Sequence, residues 1–102
     1  MAKTSSGVQS LDRALGLLEI LADAGGSMRL AELEAASGLP LPTTHRLIRS
    51  LVHNGYVRQE ASKRYALGPR LIRLGETAGR ALGSFAGRHH LAGLAARTGE
   101  TA

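Results

Sequence analysis

The stretch that most constrains this chain of 102 residues runs from Leu30 to Gly55. Leu30, Leu33 and Ala36 are spaced for one face of a short helix, and Ser37-Gly38-Leu39-Pro40 cannot continue it. Thr44, Leu47, Ile48, Leu51 and Val52 then recur at helical spacing along a single arc. Pro42 suits the first turn of that second helix, where a missing N–H costs nothing. Gly55 fits the position just past its end, where left-handed backbone is commonly required. The spacing therefore predicts a helix over about 30–37, a turn of four residues and a helix over about 41–54, which is the helix-turn-helix arrangement. Only three aromatic residues are present (Tyr56, Tyr65 and Phe85), so any core beneath these helices is built from Leu, Ile, Val and Ala.

An earlier helix is expected over 8–23, capped by Ser10 and closed by Gly25-Gly26. Its core stripe reads as Leu11, Ala14, Leu15, Leu18, Leu21 and Ala22, which leaves Leu17 and Ile20 as an extra apolar edge and candidate dimer contacts. After the helix-turn-helix, Tyr56–Glu60 and Arg64–Leu67 flank the polar tip Ala61-Ser62-Lys63 and read as a small β-hairpin. Gly68-Pro69 breaks the chain, and a linker helix is expected over 69–87, with Gly75, Gly79, Gly83 and Gly87 at a strict interval. Each such glycine weakens a helix by about 1 kcal/mol relative to alanine, which favours a flexible connection over close backbone packing. A further amphipathic segment starts at 88. The expected fold class is mainly α with a small β-hairpin.

Charge is unevenly placed. Residues 41–73 carry seven basic side chains (Arg46, Arg49, Arg58, Lys63, Arg64, Arg70 and Arg73) and one acidic, Glu60, within a chain of net charge +5. A basic middle third of this kind suits a polyanion partner. Opposite the apolar arc of the third helix lie Pro42, His45, Arg46, Arg49, Ser50 and His53, with Thr43 at the border, and no carboxylate occurs from Leu41 to Val57. A helix apolar on one side and cationic on the other, following a helix and a tight turn, suits the major groove of double-stranded DNA. Arg46 is the first candidate for a bidentate contact to guanine, and Arg49 is a candidate for a base or a phosphate. Thr43 and Thr44 sit where hydroxyls and free N–H groups meet phosphate, although Thr44 also points toward the core arc. His45 is a candidate donor to phosphate or base, and Pro42 a candidate contact for a thymine methyl. Lys63 and Arg64 at the hairpin tip are candidates for the backbone or the minor groove.

Other chemistries lack their residues. There is no cysteine, and His45 and His53 lie two turns apart, beyond joint reach of one ion. The adjacent His89 and His90 diverge on a helix. No glycine-rich phosphate loop and no paired catalytic carboxylates occur, so neither an enzyme nor a cofactor is expected. The apolar runs are far short of the roughly 20 residues that span a bilayer.

The runs Val8–Ala14, Leu30–Leu33, Gly38–Leu47 and Arg64–Leu71, in this order, resemble the IclR family of bacterial transcriptional regulators. That resemblance covers about 8–102. It implies a winged helix-turn-helix over 8–68 that binds a pseudo-palindromic operator as a dimer, with the reading segment at 30–49 and the wing at 56–67. It further implies a linker helix, then a C-terminal domain that binds a small-molecule effector, in a cytoplasmic protein associated with the nucleoid. Members mostly repress and some activate, and the resemblance leaves a dimer or, in a full-length form, a tetramer open. The runs Gly38–Thr43 and Tyr65–Glu76 resemble the subgroup that represses purine-ureide catabolism.

Two features depart from the family pattern. Glu34 stands where the first helix of such a motif usually carries a small residue, and the chain stops at Ala102, where the effector domain would be starting. The expectation is a disordered N-terminal tail at 1–7 and the start of a truncated effector-binding domain at 88–102. The rival reading is a winged-helix interaction module that no longer binds DNA.

Overall fold

The computed structural model describes residues 8–83. The chain divides into two units with the boundary between Leu71 and Ile72. In the first unit the elements run α1 (Gln9–Asp23), β1 (Ser27–Met28), α2 (Leu30–Ser37), α3 (Leu41–His53), β2 (Val57–Gln59) and β3 (Tyr65–Leu67). A fourth helix, α4, covers 70–83 and contains Gly75, Gly79 and Gly83. The N-terminal tail, Gly87, His89, His90 and the expected effector-domain start lie outside the described residues.

Local chemistry sets most boundaries. α1 is capped by the backbone of Val8, whose carbonyl accepts the Asp12 N–H at 3.1 Å. Ser10, expected as the cap, is therefore already inside the first turn. At the start of α2 the Arg29 N–H donates to Glu32 Oε1 at 2.7 Å, so a carboxylate satisfies a donor that the helix leaves open. Gly38 closes α2 with φ of 74°, and its N–H donates to the Glu34 carbonyl. The turn is held by Ser37, whose hydroxyl donates to the Glu34 carbonyl and accepts the Leu39 N–H. Glu34 itself is only half-buried, so its long side chain does not occupy the core. Gly55, with φ of 84°, turns the chain out of α3 into the hairpin.

The hairpin is one part of a three-stranded antiparallel sheet of order β1-β3-β2. β3 is central, with Val57 opposite Leu67 and Gln59 opposite Tyr65 on one side, and Ser27 opposite Ala66 on the other. The two-residue strand β1 was not foreseen, because a pair of residues carries no alternation to read. The fold is thus mostly helical with a small sheet, a winged helix-turn-helix.

The core gathers Leu17 and Leu21 of α1, Leu33 of α2, Leu47, Ile48 and Leu51 of α3, and Val57 and Tyr65 of the sheet. This corrects the reading of α1. Leu17, expected as a dimer contact, is fully buried, and Ile20 is half-buried and packs against the same cluster. Leu11 and Leu15, assigned to the core, are instead 54% and 50% exposed. The apolar positions of α1 cover roughly 220° of the helix at 100° per residue, more than one buried face uses. Periodicity therefore left the inward direction open.

Candidate nucleic-acid interface

α3 is fixed from beneath. Thr44, Leu47, Ile48 and Leu51 face the core, and all four are buried. This leaves Pro42, His45, Arg46, Arg49, Ser50 and His53 exposed along the opposite side, with Thr43 half-buried at its edge. The rigid inner face thus dictates the direction of the outer one.

The candidates expected from the sequence separate into three groups. Pro42, Thr43, His45, Arg46 and Arg49 share the outward side of α3, over its first two and a half turns. Arg46 and His45 make no ion pair or side-chain hydrogen bond with the described residues, so both present unsatisfied donors to solvent. Arg49 Nη1 lies 3.5 Å from Gln59 Oε1, which leaves most of its donors unused. No carboxylate lies on this face, and Glu60 at the wing is paired with Arg58 at 3.2 Å.

Lys63 forms the second group. It is exposed at the wing tip with φ of 72°, the one described non-glycine residue in the left-handed region. Two backbone bonds of 2.8 Å tie the tip, from the Glu60 N–H to the Arg64 carbonyl and from the Lys63 N–H to the Glu60 carbonyl. The tight loop imposes the conformation, and the ammonium extends outward from it.

Thr44 and Arg64 form the third group, and here the structure corrects the expectation. Thr44 is fully buried, and its hydroxyl donates to the Pro40 carbonyl at 3.1 Å, so it belongs to the helix start and not to a DNA-facing surface. Arg64 turns away from the tip. Its Nε donates to Ser27 Oγ at 2.8 Å, its Nη2 donates to the Ser27 carbonyl at 3.1 Å, and Nη2 lies 3.6 Å from Glu32 Oε1. An arginine next to an exposed lysine reads as one basic tip in sequence, but its strongest acceptors here lie 37 positions earlier in the chain.

Sequence reasoning passed over Gln59. Its amide reaches the Lys63 carbonyl at 3.2 Å on one side and Arg49 on the other, which links wing and third helix. Its position in an exposed strand next to a basic tip was the available signal. No group of residues suited to a metal ion, and no helix long and apolar enough to cross a membrane, occurs among the described residues.

Comparison with known proteins agrees with this geometry. The model of the IclR helix-turn-helix domain matches residues 10–61, just over half of the chain. The transcriptional repressor IclR of Escherichia coli is 48% identical over 58 residues, covering 57% of this chain and 21% of its own. The glycerol operon regulatory protein of Streptomyces coelicolor is 41% identical over 71 residues, covering 69% of this chain and 28% of its own. These relatives are therefore matched over about a quarter of their length. An IclR-type transcriptional regulator from Silicibacter sp. TM1040 superposes with a TM-score of 0.69 at 31% identity, over 89% of this chain and 37% of that one. The matched segment contains α2, the turn and α3, whose outward side is the cationic face. The chain belongs to the IclR family of transcriptional regulators.

Proposed function

We propose that this chain is the operator-binding part of a transcriptional repressor, with α3 lying in the major groove and the wing beside it on the backbone. The observation that carries the reading is the outward face of α3, where Arg46, Arg49 and His45 stand exposed with no carboxylate among them while Leu47, Ile48 and Leu51 hold the opposite face in the core. Residues near the N-terminus of such a helix reach base edges. Arg46 would donate to guanine O6 and N7, Arg49 to a base or phosphate, Thr43 and His45 to phosphate, and Pro42 would meet a thymine methyl. Lys63 would grip the backbone from the wing. The relatives named above are a repressor and an operon regulator, which supports the regulatory sense of the reading.

The domain arrangement belongs to the same proposal, with the winged helix-turn-helix over 8–68 and α4 as the start of the linker. The active form would be a dimer on a pseudo-palindromic operator, since one helix reads only a few base pairs and a two-fold pair reads two half-sites. Leu11 and Leu15 of α1 replace Leu17 and Ile20 as the contact, because only the first pair is largely exposed.

Selection of bound duplexes from a random pool, by the natural chain and by Arg46→Ala, tests the assignment. The variant should lose on the order of 1–3 kcal/mol of binding and relax specificity at one base pair of each half-site. Uniform weakening on all sequences would make Arg46 a phosphate contact instead. Failure of the natural chain to enrich any sequence would favour the interaction-module reading.

A further inference from the structure

The inward turn of Arg64 gives the wing a support that its own strands do not supply. β2 and β3 are three residues each and β1 only two, and a hairpin this short is marginal by itself. Arg64 directly precedes β3 and follows the left-handed Lys63. Its guanidinium reaches sideways to both oxygens of Ser27 in β1 and approaches Glu32 Oε1. That carboxylate oxygen also accepts the Arg29 N–H, the bond that fixes the first turn of α2. One planar group thus ties the root of the wing tip to the front of the helix-turn-helix. A guanidinium suits this role because its donors are held in a rigid fork.

We propose that Arg64 is a positioning residue for DNA recognition, a strut to Ser27 and Glu32 that holds Lys63 in register with the Arg46–Arg49 face so that both engage one duplex. This rests on the DNA-binding reading above. With the strut intact, Lys63 meets a phosphate at a fixed offset from α3. With the strut cut, the tip swings on its short strands, and Lys63 remains charged but is no longer aimed.

The test is the dependence of duplex binding on salt, measured by fluorescence anisotropy on a random-sequence duplex. Four forms of the 102-residue chain are compared: natural, Lys63→Gly, Arg64→Gln, and the two substitutions together. Glycine keeps the left-handed backbone while removing the charge. Lys63→Gly should reduce the slope of log K against log[salt] by about 1, the effect of one lost phosphate contact. The strut predicts that Arg64→Gln reduces it by a similar amount and that adding Lys63→Gly then changes it little. Additive reductions, each of about 1, would overturn the inference and make Arg64 a second phosphate contact. No reduction by Arg64→Gln would overturn it as well.

A further variant, Ser27→Ala with Glu32→Ala, removes Ser27 Oγ and Glu32 Oε1, leaves the Ser27 carbonyl as the remaining acceptor, and keeps the Arg64 charge in place. Simple electrostatics predicts tighter binding after loss of a negative charge, whereas the strut predicts the reduced slope of Lys63→Gly. Tighter binding with the natural slope or a steeper one would count against the strut. Salt-insensitive or absent binding by the natural chain would overturn the DNA-binding reading itself, and the strut with it. Salt-dependent binding by the natural chain confines any failure to Arg64.

Discussion

At the scale of single residues, the same side-chain type takes opposite roles according to what lies beneath it. Arg46 and Arg64 are both arginines in the basic middle third, yet one is free at the surface of α3 and the other is bound to Ser27. Thr43 and Thr44 are neighbours, and helical geometry sends one to the edge of the exposed face and the other into the core. Thr44 supplies a prediction at this scale. Thr44→Val keeps the shape but loses the hydroxyl bond to the Pro40 carbonyl, so stability measured by urea unfolding should fall by about 1 kcal/mol. The salt dependence of duplex binding should not change, and a reduced slope would return Thr44 to the interface. Whether an arginine points out or in was not legible locally, because the partners of Arg64 come from a distant part of the chain.

At the scale of elements, the helix-turn-helix was legible because its signals are local. Gly55 sits at positive φ where the sequence asks for it, Gly38 ends α2 as expected, and α3 begins at Leu41 with Pro42 in its first turn. The inward direction of α1 was not legible, since its apolar residues form an arc too wide to define one face. The sheet was legible only as a hairpin, because β1 exists through its pairing with β3. Gly68 is a junction whose need for glycine appears only in three dimensions. A Cβ there would press on the Gly55 carbonyl oxygen and lie 2.8 Å from the Val57 nitrogen, while the Gly68 N–H donates to the Tyr56 carbonyl at 2.8 Å. All of these neighbours are backbone and cannot rotate away. Gly68→Ala should therefore destabilise the chain by about 2 kcal/mol or more, read from thermal or urea unfolding. A loss below about 0.5 kcal/mol would mean that the wing root tolerates displacement.

At the scale of the whole molecule, the proposed α1 contact and the proposed α3 reading face can be tested apart. Leu11→Asp with Leu15→Asp places charges on exposed positions and leaves the buried Leu17 and Leu21 untouched. The proposed α1 contact predicts, in sedimentation, a dimer for the natural chain and a folded monomer for this variant. An unchanged dimer would move the contact off α1. Salt-dependent binding to a random-sequence duplex probes the cationic face of α3. With Arg49 and Lys63 each neutralising a phosphate, log K should fall linearly with log[salt] at a slope of about −2 per protomer. Arg49→Ala should remove about 1 of that slope. Binding that is absent, or insensitive to salt, would contradict the proposed role of that face.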